Sequence, residues 1–144
     1  MNKTEWDKRV IGLKGSILQS YVWGEFQKAM GFKIERIFGP DFLGLFVHLP
    51  LPFGKHYLYA PKGPLGNAES AISEAKKIDG PKPVFIRVEP ETKLNLPRAA
   101  KDIQPVLSWV LDLNESEDLI LAKMKPKHRY NLNLAIKKGV KIRQ

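Results

Sequence analysis

Residues 114–143 read NESEDLILAKMKPKHRYNLNLAIKKGVKIR and carry the clearest local signals in the chain. Asn114 is a typical helix N-cap, and the acidic residues after it suit the positive end of a helix dipole. Pro126 ends that helix but is well tolerated at a helix start, so a second helix is predicted from about Pro126 to Lys138. Gly139 is a typical helix stop, and the alternation over 140–142 predicts the start of a strand.

The same stretch is strongly basic, because no acidic residue follows Asp118. On the second helix, Lys125, Arg129, Asn133 and Lys137 are spaced by four residues and therefore share a face. Two interpretations stay open: a solvated charged face, which is the commoner meaning of such a run, or a surface for an anionic partner. The candidate anion-binding side chains are Lys123, Lys125, Lys127, Arg129 and Lys137.

Composition narrows the classes of protein that this chain can belong to. Its 144 residues suit one domain, and the net charge of +9 favours a polyanionic partner such as nucleic acid, a nucleotide-sugar or an anionic membrane surface. The absence of cysteine excludes disulfides, a thiol nucleophile and a cysteine metal site, and the three scattered histidines lack zinc-site spacing, so no metal is expected. No signal peptide and no membrane span are recognisable, which predicts a cytoplasmic protein.

The rest of the chain predicts a mixed α/β (α+β) fold in which helices pack against a sheet. Periodicity and turn residues indicate helices near 4–13, 20–30 and 68–78, with a short helix near Arg98. A hairpin of strands 33–38 and 42–49 is expected, followed by strands 57–60, 84–88 and 103–113. Trp23 and Phe26 are predicted to face the core, and the apolar strand 84–88 is predicted to be buried on both faces.

Several segments together resemble the FemAB family of peptidoglycan-bridge aminoacyltransferases, which includes FemX. They are LQSYVWGEFQKAMGF (18–32), YLYAPKGPL (57–65), FIRVEPE (85–91) and QPVLSWVLDL (104–113), the last continuing into KMKPKHRYNLNLAIKKGVKI (123–142). Each motif alone is modest, but their order and spacing cover nearly the whole chain.

The resemblance implies a GNAT-like fold and an activity. Enzymes of this family contain two GNAT-like domains and move an amino acid from aminoacyl-tRNA to the peptide stem of a cell-wall precursor, UDP-MurNAc-peptide or lipid II. Residues 1–144 would then be the first domain, and the second domain, which would follow, is absent from the sequence. No cofactor is implied beyond aminoacyl-tRNA as co-substrate, and contact with a membrane surface is a further expectation.

The resemblance also implies site residues. Attack of an amine on an aminoacyl ester benefits from a carboxylate that orients the amine or takes its proton, and Glu89 stands where relatives carry an acid in the substrate groove. The alternative is a structural carboxylate paired with Arg87 or a lysine. Tyr59, Lys62 and Lys28 are implied substrate contacts, although relatives carry the helix lysine one position earlier, at Gln27 here, and adjacent helix positions point about 100° apart. The basic residues of the final helices are the implied contacts to tRNA or to the anionic precursor.

Two other functions stay open. A GNAT N-acetyltransferase would need a backbone loop that holds the CoA pyrophosphate at a helix N-terminus, and the nearest match, residues 62–68, has one residue too many before its glycine. A non-catalytic RNA-binding or anion-binding domain would suit the net charge. Against it, the sequence has no RNP-like aromatic motif, KH loop or zinc knuckle.

Overall fold

A computed structural model describes residues 1–105, 107 and 111–143. The chain forms two compact units, residues 1–104 and residues 105–144. The first unit contains a five-stranded mixed sheet with helices, so the predicted mixed α/β class is confirmed for the part described. Within that part, no helix is both long and apolar enough to cross a membrane.

The N-terminal unit begins with two helices. Helix α1 spans Lys3–Gly12 and starts with a capping box between Asn2 and Glu5, and its inner face buries Trp6 and Val10. A 3₁₀ turn over Ile17–Gln19 leads to α2, Tyr21–Ala29, where the Ser20 side chain accepts a hydrogen bond from the Trp23 amide. Both helix starts therefore satisfy free backbone N–H groups with a polar side chain, as local sequence predicts.

The strands of the sheet are β1 (Ile34–Phe38), β2 (Phe42–Pro50), β3 (His56–Ala60), β4 (Leu65–Gly66) and β5 (Ile86–Val88), and helix α3 (Ala68–Ala75) lies between β4 and β5 in the chain. Their order in the sheet is β1-β2-β3-β5, with β4 paired to β2. The β1–β2 and β2–β3 pairs are antiparallel, whereas β3 and β5 are parallel. A parallel pair needs a crossover connection, which the segment containing α3 supplies.

Two hydrophobic clusters hold this unit together. One joins Trp6 and Val10 of α1 to Leu43 and Leu45 of β2. The other includes Phe46, Leu58 and Ala75, all of them 0% exposed. Alternate residues of β2 thus serve opposite faces of the sheet, and the central strand is buried on both sides.

The C-terminal unit consists of α4 (Glu117–Lys123) and α5 (Pro126–Lys137), and neither helix contains a buried residue. Pro126 occupies the first turn of α5 and Gly139 adopts a left-handed conformation just after it, as predicted. The N-cap of α4 is Ser116, whose hydroxyl accepts from the Leu119 amide, rather than Asn114. Residues 140–142 form no strand, because a strand needs a neighbour to accept its hydrogen bonds.

Other predictions need correction. Helix α2 packs through Gly24, where the lack of a side chain admits Arg36 and Ile34, so Phe26 is 49% exposed while Trp23 stays half-buried. Strand β5 is shorter than predicted, and Val84 and Phe85, which precede it, are exposed.

Two further elements differ from expectation. No helix forms near Arg98, because residues 95–101 are all exposed and a short helix there would lack the packed face that stabilises helices in proteins. Of the predicted strand 103–113, residues 106 and 108–110 lie outside the described residues, and the described ones are not in a strand.

Candidate functional site

The candidate site lies at the carboxyl ends of the parallel strands β3 and β5. Tyr59 of β3 is paired in register with Arg87 of β5, and Glu89 follows β5 by one residue. Because side chains two residues apart in an extended chain point to the same side, Arg87 and Glu89 share a face. The carboxyl ends of parallel strands are where α/β sheets commonly bind ligands.

Glu89 is held by its neighbours at both carboxylate oxygens. The Tyr59 hydroxyl donates to Oε2 at 2.8 Å, and the backbone amides of Ile103 and Gln104 donate to Oε1 at 3.3 and 3.4 Å. The Arg87 guanidinium lies 3.7 Å from the same Oε1. The Glu89 side chain nevertheless keeps 18% of its surface exposed, so the carboxylate is fixed in place and still faces solvent.

Tyr59 is a hydrogen-bond donor over the whole physiological pH range. The residue is only 6% exposed. Burial, and after it the hydrogen bond to Glu89, raise the pKa of Tyr59 well above its usual value. The phenol therefore keeps its proton and donates it in the hydrogen bond to the Glu89 carboxylate.

Arg87 supplies positive charge beside the carboxylate. Its Nη2 donates to the Lys101 carbonyl and approaches Glu89, while its Nε is buried with no hydrogen-bond partner among the described residues. The interpretation of Glu89 as partner of Arg87 is therefore confirmed as a contact. The structural and the catalytic interpretation of Glu89 are compatible, because a carboxylate that is held in place by Arg87 can also orient an amine or take its proton.

The loop after β3 is anchored by Gln19, which sequence reasoning missed. Gln19 is 0% exposed, and its carboxamide donates to the Pro61 carbonyl at 2.8 Å and accepts from the Leu45 amide at 2.8 Å. A side chain on Gly63 would collide with it, since the nearest Gln19 atom would lie 2.5 Å from the added carbon. The Gly63 carbonyl in turn accepts from the Glu89 amide at 2.8 Å.

Gln19 is thus linked through one loop to the backbone of Glu89. The only sequence signal was a glutamine that follows two apolar residues and directly precedes the helix cap Ser20. Lys62 belongs to the same loop, where it adopts a left-handed backbone conformation and is half-buried. The loop therefore carries Lys62 next to Gly63, the residue that holds the Glu89 amide.

The α2 candidates belong to a different set of contacts. Lys28 pairs with Glu25 at 3.1 Å, and Gln27 is half-buried on the neighbouring helix position. In the described part of the chain, neither side chain bonds to Glu89 or Tyr59. The structure thus brings Tyr59 and Glu89 together and leaves Gln27 and Lys28 in separate contacts.

The basic candidates of the C-terminal unit divide into two groups. Arg129 donates to the carbonyls of Leu121 and Ala122 at 3.3 and 2.9 Å, and Lys123 pairs with Glu115. These two cations therefore stabilise the unit itself, at the carboxyl end of α4. Lys125, Lys127 and Lys137 are exposed and form no ion pair among the described residues, so they remain open to an anion.

Comparison with protein families, with curated proteins and with solved structures finds no match for this chain. Likeness to the FemAB family therefore stays a prediction from the sequence motifs.

Proposed function

We propose that this chain takes part in aminoacyl transfer from aminoacyl-tRNA to the peptide-stem amine of a peptidoglycan precursor, in the cytoplasm, within a GNAT-like domain. The observation that carries the proposal is the Glu89 carboxylate, fixed at the ends of two parallel strands and 18% exposed. The sequence motifs of residues 57–65 and 85–91 support it, because they contain Tyr59 and Glu89, and the motif of residues 18–32 contributes Gln19, which anchors the loop after β3.

Glu89 suits the proton chemistry of this reaction. A stem amine would donate a hydrogen bond to the carboxylate, which orients the nitrogen lone pair toward the ester carbonyl carbon. Nitrogen then forms the new amide bond, the ester bond to the ribose oxygen breaks, and the proton lost by nitrogen passes through Glu89 to that oxygen. Atoms and charges balance without a metal or redox partner.

Tyr59 and Arg87 fit this role by fixing the base. The hydroxyl of Tyr59 and the guanidinium of Arg87 contact different oxygens of the carboxylate. Both contacts restrict rotation about the side-chain bonds of Glu89, so the exposed part of the carboxylate keeps one orientation. Lys62, on the loop next to Gly63, supplies positive charge for a precursor phosphate.

A second candidate function is sequence-independent binding of RNA. The observation that favours it is that Lys125, Lys127 and Lys137 are exposed and form no ion pair with any residue the structure describes, in a unit with no acidic residue after Asp118. Such lysines bind phosphates with an affinity that falls steeply as salt rises. In the transfer reaction the same lysines would hold the tRNA.

Transfer of an acetyl group from CoA is less well supported by the geometry. The start of α3 is already capped, because the Asn67 side chain accepts from the Ser70 amide at 3.1 Å. The Asp41 carboxylate also accepts a hydrogen bond from the side-chain nitrogen of Asn67 at 3.0 Å. The negative charge of Asp41 disfavours a pyrophosphate at this helix end.

The decisive experiment follows a labelled amino acid from charged tRNA to UDP-MurNAc-pentapeptide or lipid II, using the full product of the gene. We expect transfer, and we expect Glu89→Gln to lower its rate by about 100-fold or more, because general-base catalysis contributes on that scale. Glu91→Gln is the matched control, since Glu91 is exposed two residues further on.

Each other outcome selects a different function. Acetylation dependent on acetyl-CoA would favour the acetyltransferase. Salt-sensitive tRNA binding without transfer would favour the RNA-binding domain. Equal loss of rate in the Glu89→Gln and Glu91→Gln variants would show that Glu89 is not the base of the reaction.

A further inference from the structure

The outer surface of α1 and α2 carries an unusual number of exposed apolar side chains. Ile11 is 76% exposed, Val22 55%, Phe26 49% and Met30 61%. Val22, Phe26 and Met30 follow one another at intervals of four residues, so they form one stripe along α2. Sequence periodicity predicted part of this stripe to be core, yet in the structure it faces outward.

The two helices meet at the start of this stripe. The Asp7 carboxylate of α1 accepts a hydrogen bond from the Tyr21 amide at 2.7 Å, which joins α1 to the first residue of α2. An open groove of about 490 Å³ runs along the same face of α1 and is lined by Lys3, Thr4, Asp7, Lys8 and Ile11. Ile11 lines this groove beside Lys3 and Lys8 and follows Asp7, the residue that binds the start of α2, by one helical turn. We name this region the α1–α2 surface: Lys3, Lys8, Ile11, Val22, Phe26 and Met30.

The charges of the α1–α2 surface are one-sided. The carboxylates of α1 and α2 are bound within the protein: Asp7 binds the start of α2, Glu5 closes the capping box of α1, and Glu25 pairs with Arg36 at 2.8 Å and with Lys28. Lys3 and Lys8 are exposed and have no ion-pair partner in the part of the chain described. A partner would therefore meet apolar side chains beside uncompensated positive charge.

We propose that the α1–α2 surface binds the face of an anionic lipid bilayer. An exposed apolar stripe next to lysines is the pattern of helices that lie in a membrane interface, where the apolar groups enter the acyl boundary and the lysines contact lipid phosphates. RNA fits this surface less well, because it binds through phosphates and stacked aromatic rings and gains nothing from exposed Ile11, Val22 or Met30. This assignment uses none of the residues of the proposed transfer site.

The test is flotation of the protein with vesicles of phosphatidylcholine and phosphatidylglycerol in equal parts, compared with phosphatidylcholine alone. We expect binding to the anionic vesicles only. Lys3→Glu/Lys8→Glu should weaken it by at least about 20-fold, since each lysine near such a surface contributes roughly fivefold. Ile11→Ser/Met30→Ser should weaken it by about tenfold through lost apolar contact.

Matched control variants distinguish an effect of the α1–α2 surface from the effect of changing the net charge, or of removing any exposed apolar side chain, elsewhere in the same unit. Lys76→Glu/Lys93→Glu makes the same change of charge at exposed positions of the same unit, and Phe53→Ser removes a side chain that is 98% exposed at the β2–β3 turn. Both should bind vesicles as the unaltered protein does.

Equal losses in these controls would overturn the proposal, as would binding to neither kind of vesicle. A dimer in sedimentation equilibrium that Ile11→Ser/Met30→Ser dissociates, without vesicle binding, would assign the surface to a second copy of the chain instead.

Discussion

The two units of this chain owe their form to different forces. In residues 1–104, β2 is almost entirely buried and Gln19 makes its hydrogen bonds without any contact with water. In residues 105–144, the helices contain no buried residue, and the contacts that define them are caps, an ion pair and Arg129 on the end of α4.

The contrast separates local from non-local determinants of structure. Caps and helix ends depend on neighbours in sequence, so they form wherever the right residues stand together. Burial depends on residues far apart in the chain. Because it removes apolar surface from water, it stabilises the unit that achieves it more than caps alone stabilise the other. Substitution of the same kind in each unit should therefore have very different effects.

The largest difference is expected for leucine. Leu45→Ala removes a side chain that is 0% exposed and should lower the free energy of unfolding by about 3–4 kcal/mol through lost burial and a residual cavity. Leu119→Ala, at a position 55% exposed, should lower it by less than about 1 kcal/mol. Urea unfolding followed by circular dichroism measures both. Similar losses at the two sites would show that burial does not distinguish the units.

A buried amide gives the next largest difference. Gln19→Leu leaves the Leu45 amide and the Pro61 carbonyl without their partner, and should cost about 3 kcal/mol of stability. Asn133→Leu makes a comparable change on an exposed face of α5 and should stay within about 0.5 kcal/mol. The same unfolding assay applies, and an unaffected Gln19→Leu protein would contradict the buried network.

A glycine pair separates backbone strain from packing. Gly66 and Gly139 have nearly the same φ, +73° and +72°, but a side chain on Gly66 would overlap the Asp41 carbonyl oxygen, whereas one on Gly139 meets nothing within 4 Å. Gly139→Ala should cost about 1 kcal/mol, from the left-handed backbone alone. Gly66→Ala should cost at least about 2 kcal/mol, since the overlap adds to the strain. Equal losses of stability in the two variants would mean that the backbone at Asp41 moves away from the new side chain without a cost in free energy.

Histidine gives the smallest expected difference, seen as a dependence on pH. Burial lowers the pKa of His48, and Lys33 and His56 act in the same direction, whereas Glu35, which contacts the ring at 3.2 Å, opposes them. Because the folded pKa lies below the unfolded value of about 6.5, the unfolded chain takes up the proton first. Stability should therefore fall as pH drops through about 6.5, until the folded pKa is reached.

Replacing His48 by glutamine should flatten this dependence in unfolding curves measured from pH 7.5 to 5. His128→Gln, on the exposed side of α5, is the matched control because it removes a histidine and leaves the Glu35–His48 contact intact. If the His128 variant flattened the profile as much, the assignment to His48 would fail.

The sequence by itself determined the elements that depend on local chemistry. The helix near 20–30, the β1–β2 hairpin, Pro126 at the start of α5 and Gly139 at its end were all predicted, since caps, turns and proline act within a few residues. Glu89 was also predicted as a strand-end acid, with Arg87 as a possible partner.

Tertiary structure decided what lies inside and what meets across the chain. Periodicity shows that α2 has an apolar side, but only packing through Gly24 decided that Phe26 faces outward. The contact of Tyr59 with Glu89, 30 residues later, needed the parallel pairing of β3 and β5. The anchoring of the following loop by Gln19 likewise joins residues 42 positions apart. Such contacts follow from burying distant segments together, which no local pattern of residues specifies.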